Sequence, residues 1–237
     1  MNKLNLTTNN QVTIVDNVIK GRHSVRAFLP TPVSKETLEE LLTVASYAPS
    51  SANIQPWKVY VATGEAQKRL KDKLYKTFID PNESKKYAAE FTYYPDIWTS
   101  PYKDRRQQVG LELYTTLDIK KDDKLAMLTQ HSRNMLFFNA PVTLVFTIDR
   151  NLALGSRVDC GMFIQTVMLA AQARGLATCA QASINQFHTI IGTELAIPGT
   201  EQLLCGISLG YEDKSNIVNT VKSTRAPLSE FVKFIKD

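Results

Sequence analysis

Residues 141–173 constrain the fold more than any other part of the chain. They open with the strongest strand signal in the sequence, the apolar and β-branched run at 142–148. After a polar break, residues 159–173 form a long, mostly apolar helical segment that Gly175 ends. Because a helix that is apolar on most of its surface must be buried on most sides, this part predicts a buried strand followed by a central helix.

The remaining pattern predicts an α+β fold. A second confident strand covers residues 203–209, and shorter strand-like runs cover 58–62 and 176–179. Apolar residues at helical spacing predict helices at about 12–19, from the N-cap Ser34 to before Pro49, and at 65–78, 105–117, 124–138, 185–195 and 228–236. Since the few strands do not alternate evenly with the helices, we expect a small central mixed or antiparallel sheet flanked by helices.

Length and composition are those of one globular domain. The 237 residues contain 43% hydrophobic and 22% charged residues, which predicts a single domain over residues 1–237. Three prolines and many aromatic residues mark an irregular excursion at about 80–120. No apolar run approaches twenty residues, so no membrane partner is expected.

Charge and cysteine content indicate which partners and which cellular compartment to expect. The formal net charge is +5, but basic and acidic residues are interleaved, as in residues 68–73 and 120–124. Such stretches indicate solvated helix faces, so no nucleic-acid partner is expected. Three widely spaced cysteines without a CxxC, and a first ten residues without a signal-peptide pattern, predict a cytoplasmic protein.

Two short stretches near the N-terminus carry most of the chemistry. The first, residues 22–28, places two arginines, a histidine and a serine within five positions, which suits a phosphate or a polyhydroxyl chain. The second, residues 48–57, breaks a helix at Pro49 and continues with Ser, Asn and Gln, which leaves backbone N–H groups free for a ligand. Taken singly, the first could be a solvated helix end and the second an ordinary loop.

Other site types find little support in the sequence. It has no GxGxxG after a strand and no P-loop, and its three histidines lie far apart without an HExxH pattern, so no metal site is expected. Cys179 with His188 could form a nucleophile and its base, but Cys179 lies in an apolar run and is better interpreted as core.

Together and in this order, the two stretches resemble the nitroreductase family of FMN-dependent oxidoreductases. Residues 22–28 resemble its Arg-[Arg/His]-Ser-x-[Lys/Arg]-x-Phe run, and residues 48–57 its Ala-Pro-Ser-x-x-Asn-x-Gln-Pro-Trp run. The resemblance extends to the C-terminal third and weakens between about 80 and 130. It implies a nitroreductase-like fold with FMN at the interface of a homodimer.

The resemblance also implies which residues bind FMN. In one subunit Arg22, His23 and Ser24 would hold the phosphate and ribityl chain, and Arg26 the pyrimidine edge of the ring. From the other subunit the matching positions are Pro49, Ser50, Ser51 and Asn53, with Gln55 and Trp57 serving support and packing.

The C-terminal third adds further positions to this set. The backbone at Gln181, Ala182 and Ser183 would pass flavin N5, although many members have Pro at the position of Ala180 and some a Glu-Gly pair at 182–183. Arg225 matches a phosphate-binding arginine. Lys222 stands one residue further back than the lysine of some relatives, which leaves its contact open.

The implied reaction is a ping-pong transfer of two electrons from NADH or NADPH to a small aromatic acceptor, such as a nitroarene or quinone. The aromatic residues at 87–102, with Arg105 and Arg106, either form a lid over the acceptor pocket or pack as an ordinary excursion. Reductive dehalogenation, enone or flavin reduction, oxygen-dependent flavin cleavage and non-catalytic flavin binding remain alternatives.

Overall fold

The computed structural model describes residues 8–236. Residues 1–7, part of the stretch in which the sequence predicts no signal peptide, lie outside the described residues, as does Asp237. The strands are β1 Trp57–Ala62, β2 Val142–Asp149, β3 Ala177–Gln181 and β4 Glu201–Gly210. The α-helices are α1 Thr8–Gly21, α2 Lys35–Ala45, α3 Gly64–Ile79, α4 Pro81–Ser84, α5 Tyr102–Thr116, α6 Lys124–Ser132, α7 Leu154–Ala173 and α8 His188–Glu194.

The four strands form one antiparallel sheet in the order β1-β2-β4-β3. Seven of the eight residues of β2 are buried, as its apolar sequence predicts. Side chains alternate between the two faces of a strand, so Leu144 and Phe146 enter one core while Val145 enters another. The predicted α+β architecture with a small central sheet is confirmed.

Helix α7 covers one face of this sheet and confirms the predicted buried helix, although it begins five residues earlier, at Leu154. Its Phe163 stacks on Trp57 of β1 with ring centroids 4.5 Å apart, so Trp57 serves packing as expected. Apolar side chains of α2 complete this core, and the Ser34 side chain caps α2 by accepting from the Thr37 N–H at 3.1 Å. Helices α3 and α8 supply the core on the opposite face.

Two predicted helices are wrong in part or in whole. The helix at 124–138 stops at Ser132. Its predicted last residues cannot be helical, since Phe137, Phe138 and Asn139 adopt φ values of +47°, +52° and +61°, and both phenylalanine rings are buried. The helix at 228–236 is replaced by a single 3-10 turn, Leu228–Glu230. Most of its apolar residues stay exposed, 79% in the case of Ile235, so little burial stabilises a short helix there.

Smaller corrections concern residues 185–195. This segment begins as the 3-10 turn Ser183–Phe187 and becomes α-helical only in α8. No helix in the described residues is long and apolar enough to cross a bilayer.

The excursion at 80–120 is attached to the body of the protein by Glu90. Its carboxylate pairs with Arg150, lies 3.3 Å from His188 Nδ1 and accepts the N–H of Leu203 at 3.3 Å. The Glu90 side chain is only 11% exposed. Tyr87 packs on Phe187 in the core, whereas the following aromatic residues contact mainly one another.

Gly210, the last residue of β4, has no room for a side chain. A Cβ atom there would lie 2.5 Å from Cδ of Pro141, a rigid ring that cannot rotate away. We therefore expect Gly210→Ala to lower the free energy of unfolding by about 1–3 kcal/mol, measured by urea denaturation at fixed protein concentration.

Gly110 provides the matched control, because it lies inside α5 and a Cβ atom added there would meet nothing within 4 Å. Gly110→Ala should leave stability unchanged or raise it by up to about 1 kcal/mol. Equal destabilisation of both variants would contradict the close approach at Gly210.

Candidate functional site

Residues 22–28 extend the sheet beyond its last strand. Ser24 forms an isolated parallel bridge with Thr178 of β3, and the Val25 N–H donates to the Thr178 carbonyl at 3.1 Å. Phe28 bridges Glu212 just beyond β4. The arginine-rich stretch is therefore fixed against the sheet and is not a solvated helix end.

A buried asparagine holds this stretch in place. The Asn219 side chain accepts the N–H groups of Arg26 and Ala27 at 2.8 and 3.2 Å and donates to the carbonyls of Ala27 and Asp213, both at 2.9 Å. From the other side Arg133 donates to the Arg26 carbonyl at 3.1 Å. These bonds fix the backbone from which the Arg26 side chain projects.

Arg22 and Arg225 bring two positive charges together. Burial lowers the pKa of the Arg22 guanidinium, and repulsion by Arg225 lowers it further. Arg225 is oriented by Nη1, which donates to the Ser223 carbonyl and hydroxyl, both at 2.8 Å. Within residues 8–236 neither arginine pairs with a carboxylate, so the pair suits a polyanionic group such as a phosphate.

Arg26 and Ser24 belong to the same cluster. Arg26 Nη1 donates to the Ser24 carbonyl at 3.3 Å, and no ion pair with Glu36 or Glu40 forms in the described chain. Burial raises the pKa of the nearby Cys179 thiol, although Arg26, the Ser24 hydroxyl and Arg22 oppose this. Cys179 is thus a buried neutral thiol, and its interpretation as core is confirmed.

His23 is engaged by the protein itself. Its Nδ1 lies 3.2 Å from the Gly21 carbonyl, and its Nε2 lies 3.2 Å from Glu212 Oε1. These contacts join the end of α1 to the segment after β4. A direct contact between His23 and a phosphate stays a prediction. Lys222, which precedes Arg225 by three residues, is exposed, and its contact with a phosphate also stays a prediction.

The loop at 49–55 is an exposed segment with unusual backbone angles. Ala52, Asn53 and Gln55 have φ values of +47°, +57° and +47°. The Ser50 hydroxyl accepts the Gln55 N–H at 3.0 Å, and the Gln55 amide donates to the Asn53 carbonyl at 3.2 Å, which confirms a supporting role for Gln55. Such angles are costly and need these local bonds to persist.

Helix α7 separates this loop from the arginine cluster. The Ser51 N–H donates to Asp159 Oδ1 at 3.3 Å, whereas Gly21 lies beside Gln172, near the other end of the helix. Thirteen residues of helix separate Asp159 from Gln172, which corresponds to roughly 20 Å. No hydrogen bond or ion pair between residues 8–236 joins the loop at 49–53 to Arg22, Ser24 or Arg225.

Asp159 has a further notable feature at this loop. Its second carboxylate oxygen, Oδ2, is buried and finds no hydrogen-bond partner in the described chain. A buried carboxylate oxygen without a donor is costly. Asp159 Oδ2 therefore keeps an unused acceptor beside Ser51.

Residues 181–183 lie at the end of β3. Both ends of the Gln181 side-chain amide are hydrogen-bonded within the protein: the nitrogen donates to the Asn134 carbonyl at 2.9 Å, and the oxygen accepts from Ser208 at 2.5 Å. Ala182 and Ser183 begin a 3-10 turn, and the first N–H groups of a helical turn point out of it. This segment therefore offers backbone donors rather than the Gln181 amide.

Two cavities meet at Ala182. One of about 340 Å³ lies between α7 and the end of β3, and one of about 630 Å³ lies under the excursion. Phe91 and Tyr93 contribute to both, so the aromatic excursion walls the space next to residues 181–183. Arg106 lines the larger cavity, whereas Arg105 pairs with Glu230 at 2.5 Å. The role of the excursion as a lid stays a prediction.

A sequence profile of the Nitroreductase family matches residues 19–211, and the chain belongs to this family. A 4-nitrobenzoate reductase of Nocardioides sp. is 40% identical over 225 residues, covering 94% of this chain and 90% of the relative. A 4-nitrobenzoate reductase of Pseudomonas putida is 38% identical over 93% of this chain and 95% of its own.

Solved structures agree with this assignment. The FMN-dependent nitroreductase NfnB from Mycobacterium smegmatis, in complex with NADPH, has a TM-score of 0.89 at 32% identity, covering 95% of this chain and all of its own. The predicted nitroreductase-like fold is thereby confirmed. Relatives named for the alternative reactions, an enone reductase and an iodotyrosine deiodinase, are more distant at 27% and 22% identity.

Sequence reasoning missed the residues that support the site. The backbone of Arg26 is bound by Asn219 and Arg133, which lie far from it in sequence. Ser223, which binds Arg225, lies in a polar tail. No motif marks any of these three residues. Asp159 carried a signal, since it is a charged residue in a mostly apolar predicted helix. Asn134 falls inside the helix predicted at 124–138, which in the structure ends at Ser132.

The Asn219 bonds generate a prediction about stability. Asn219→Ala leaves buried backbone groups of Arg26 and Ala27 without partners, so we expect the free energy of unfolding to fall by about 2–4 kcal/mol. Asn216→Ala, which removes only the cap of a short 3-10 turn, should cost about 1 kcal/mol. Equal losses in urea denaturation would show that Asn219 has no special role.

Proposed function

We propose that this protein is an FMN-dependent oxidoreductase that uses NADH or NADPH to reduce nitroaromatic or quinone-like acceptors. The observation that carries the proposal is the pair of neighbouring guanidinium groups of Arg22 and Arg225, unneutralised by carboxylates in the described chain. The 4-nitrobenzoate reductases and the FMN-dependent NfnB that resemble the chain over more than nine-tenths of its length support it.

The arginine cluster would hold the phosphate and ribityl portions of FMN. Arg22 and Arg225 supply charge for the phosphate, and Ser24 supplies a hydroxyl within the same cluster. His23 orients this stretch through Gly21 and Glu212. The clustered charges fit a phosphate because a dianion would relieve their mutual repulsion.

The reactive end of the site would use Arg26 and residues 181–183. When bound, FMN supplies the two-electron chemistry that joins NAD(P)H oxidation to acceptor reduction in a ping-pong cycle. Arg26 holds a fixed positive charge that favours an anionic ring edge, and Asn219 and Arg133 keep its backbone in place. Ala182 and Ser183 present backbone N–H donors, whereas the Gln181 side chain holds the end of β3.

We infer further that the site is shared between two subunits of a homodimer. The loop at 49–53 lies roughly 20 Å along α7 from the arginine cluster, so one subunit does not bring both stretches together. In a two-fold dimer Pro49, Ser50, Ser51 and Asn53 of one subunit would reach the FMN held by the other. The exposed, strained loop and the unpartnered Asp159 Oδ2 support this arrangement.

We also propose that the protein acts in the cytoplasm and as one domain over residues 1–237, with the excursion at about 80–120. Its three cysteines are free and two of them are buried, which suits a reducing compartment. Contacts of residues 22–28 with β3, and of Glu90 with Arg150, join the N-terminal stretch and the excursion to the same body.

The first test concerns the cofactor and the reaction. We expect the purified protein to be yellow, to release FMN on denaturation, and to oxidise NADH or NADPH while reducing 4-nitrobenzoate. Arg225→Gln should raise the Kd for FMN by about tenfold or more, because it removes a charge-assisted contact to the phosphate. A colourless protein that takes up no added FMN would refute the proposal.

The second test concerns the shared site. Subunits carrying Arg225→Ala are mixed with subunits carrying Asn53→Ala under exchange conditions, and activity is measured in purified heterodimers. One site of each heterodimer then collects both changes and the other collects neither, so about half of the wild-type activity should return. Heterodimers of two inactive variants that recover nothing would show that each subunit builds its own site.

A further inference from the structure

We infer that Arg106 selects acceptors that carry a carboxylate, so that the preferred substrates are anionic nitroarenes. This inference rests on the proposed function, since it concerns the acceptor side of the same site. It depends on the larger cavity, which runs from the end of β3 to the excursion and includes both Ala182 and Arg106 in its lining.

The walls of this cavity suit an aromatic ring. Its volume of about 630 Å³ accommodates a single substituted benzene ring, and Phe91, Tyr93 and Tyr94 supply aromatic surface. The Arg106 guanidinium lies 5.1 Å from the ring centroid of Trp98, a cation–π contact that holds the charge at the cavity without neutralising it. The cavity therefore combines an aromatic wall with one oriented cation.

The charge of Arg106 is left over after the other lining charges are paired. Glu90 is committed to Arg150, to His188 and to the Leu203 N–H. Burial lowers the pKa of His131, so its imidazole is neutral near pH 7. Across residues 8–236 Arg106 has no carboxylate within ion-pair distance, whereas its neighbour Arg105 pairs with Glu230.

A guanidinium in this position recognises a carboxylate well. Its planar fork matches the two carboxylate oxygens and can donate two parallel hydrogen bonds. A ring with the nitro group and the carboxylate at opposite ends could place the former near Ala182 and the latter near Arg106, since both residues line one cavity. The same cation could instead bind a phosphate of the nicotinamide nucleotide, which an experiment can distinguish.

The experiment compares 4-nitrobenzoate with its neutral isostere 4-nitrobenzamide on the FMN-loaded enzyme. For Arg106→Gln we expect kcat/KM for 4-nitrobenzoate to fall by about tenfold, and that for 4-nitrobenzamide by less than about twofold. The loss should fall on KM rather than kcat, because the carboxylate lies away from the reacting group. Arg106→Lys, which keeps the charge but not the fork, should lie between the two.

Arg105→Gln is the matched control, because it removes an adjacent arginine of the same helix that does not line the cavity. It should leave both substrates unaffected. Matching melting temperatures and FMN content among the variants would confirm that a change in selectivity does not arise from misfolding. Equal losses with Arg105→Gln and Arg106→Gln would overturn the inference.

A binding measurement tests the same point without turnover. Calorimetry should show that Arg106→Gln raises the Kd for benzoate about tenfold and leaves that for benzamide unchanged. A rise in KM for NADPH but not for 4-nitrobenzoate would overturn the inference in favour of a nucleotide phosphate. If the wild-type protein binds FMN but reduces neither nitroarene, the proposed function fails, and the benzoate titration still decides the role of Arg106.

Discussion

The repulsion between Arg22 and Arg225 is the constraint around which the site is built. Two guanidinium groups approach each other only if other contacts hold them, and this protein supplies such contacts at both ends. The bridge from Ser24 to Thr178 fixes the first arginine to the sheet, and Ser223 orients the second. Burial and the nearby charge of Arg225 both disfavour the charged form of Arg22, so an anionic ligand would stabilise this part of the site.

The sheet and α7 set the distances on which the rest depends. Arginine-rich residues 22–28 join the sheet beside β3, near the C-terminal end of α7, whereas the loop at 49–53 contacts Asp159 in its N-terminal half. Because a helix is rigid and rises about 1.5 Å per residue, these two motifs stay apart within a subunit. Two motifs that are close in sequence are thereby held apart in the folded chain.

The proposed acceptor side differs in construction from the proposed FMN side. Its walls come from an excursion that is attached to the body through Glu90 and Tyr87, and in which Phe91, Tyr93, Tyr94 and Trp98 also contact one another. Such a segment can change in sequence without disturbing the sheet, since α5 has no buried residue. Such a separation would let one scaffold keep the proposed FMN site while the cavity under the excursion varies.

The sequence by itself determined the buried strand β2, the central helix α7, the α+β class and the family, because these depend on local periodicity and on contiguous motifs. It failed at Phe137 and Phe138, where burial of both rings overrides helical propensity, and at the C-terminal residues, where an apolar pattern found nothing to pack on.

Only the tertiary structure decided which groups support the site. Asn219 binds the backbone of Arg26, Asp159 binds that of Ser51, and Arg106 shares a cavity with Ala182. The partners in each case lie far apart along the chain, whereas a sequence pattern relates only near neighbours. The tertiary structure also shows that the Gln181 side chain forms its hydrogen bonds within the protein, since its partners come from β4 and from the segment after α6. Local chemistry indicated the candidate ligand-binding stretches, and long-range packing determined how each of them is held.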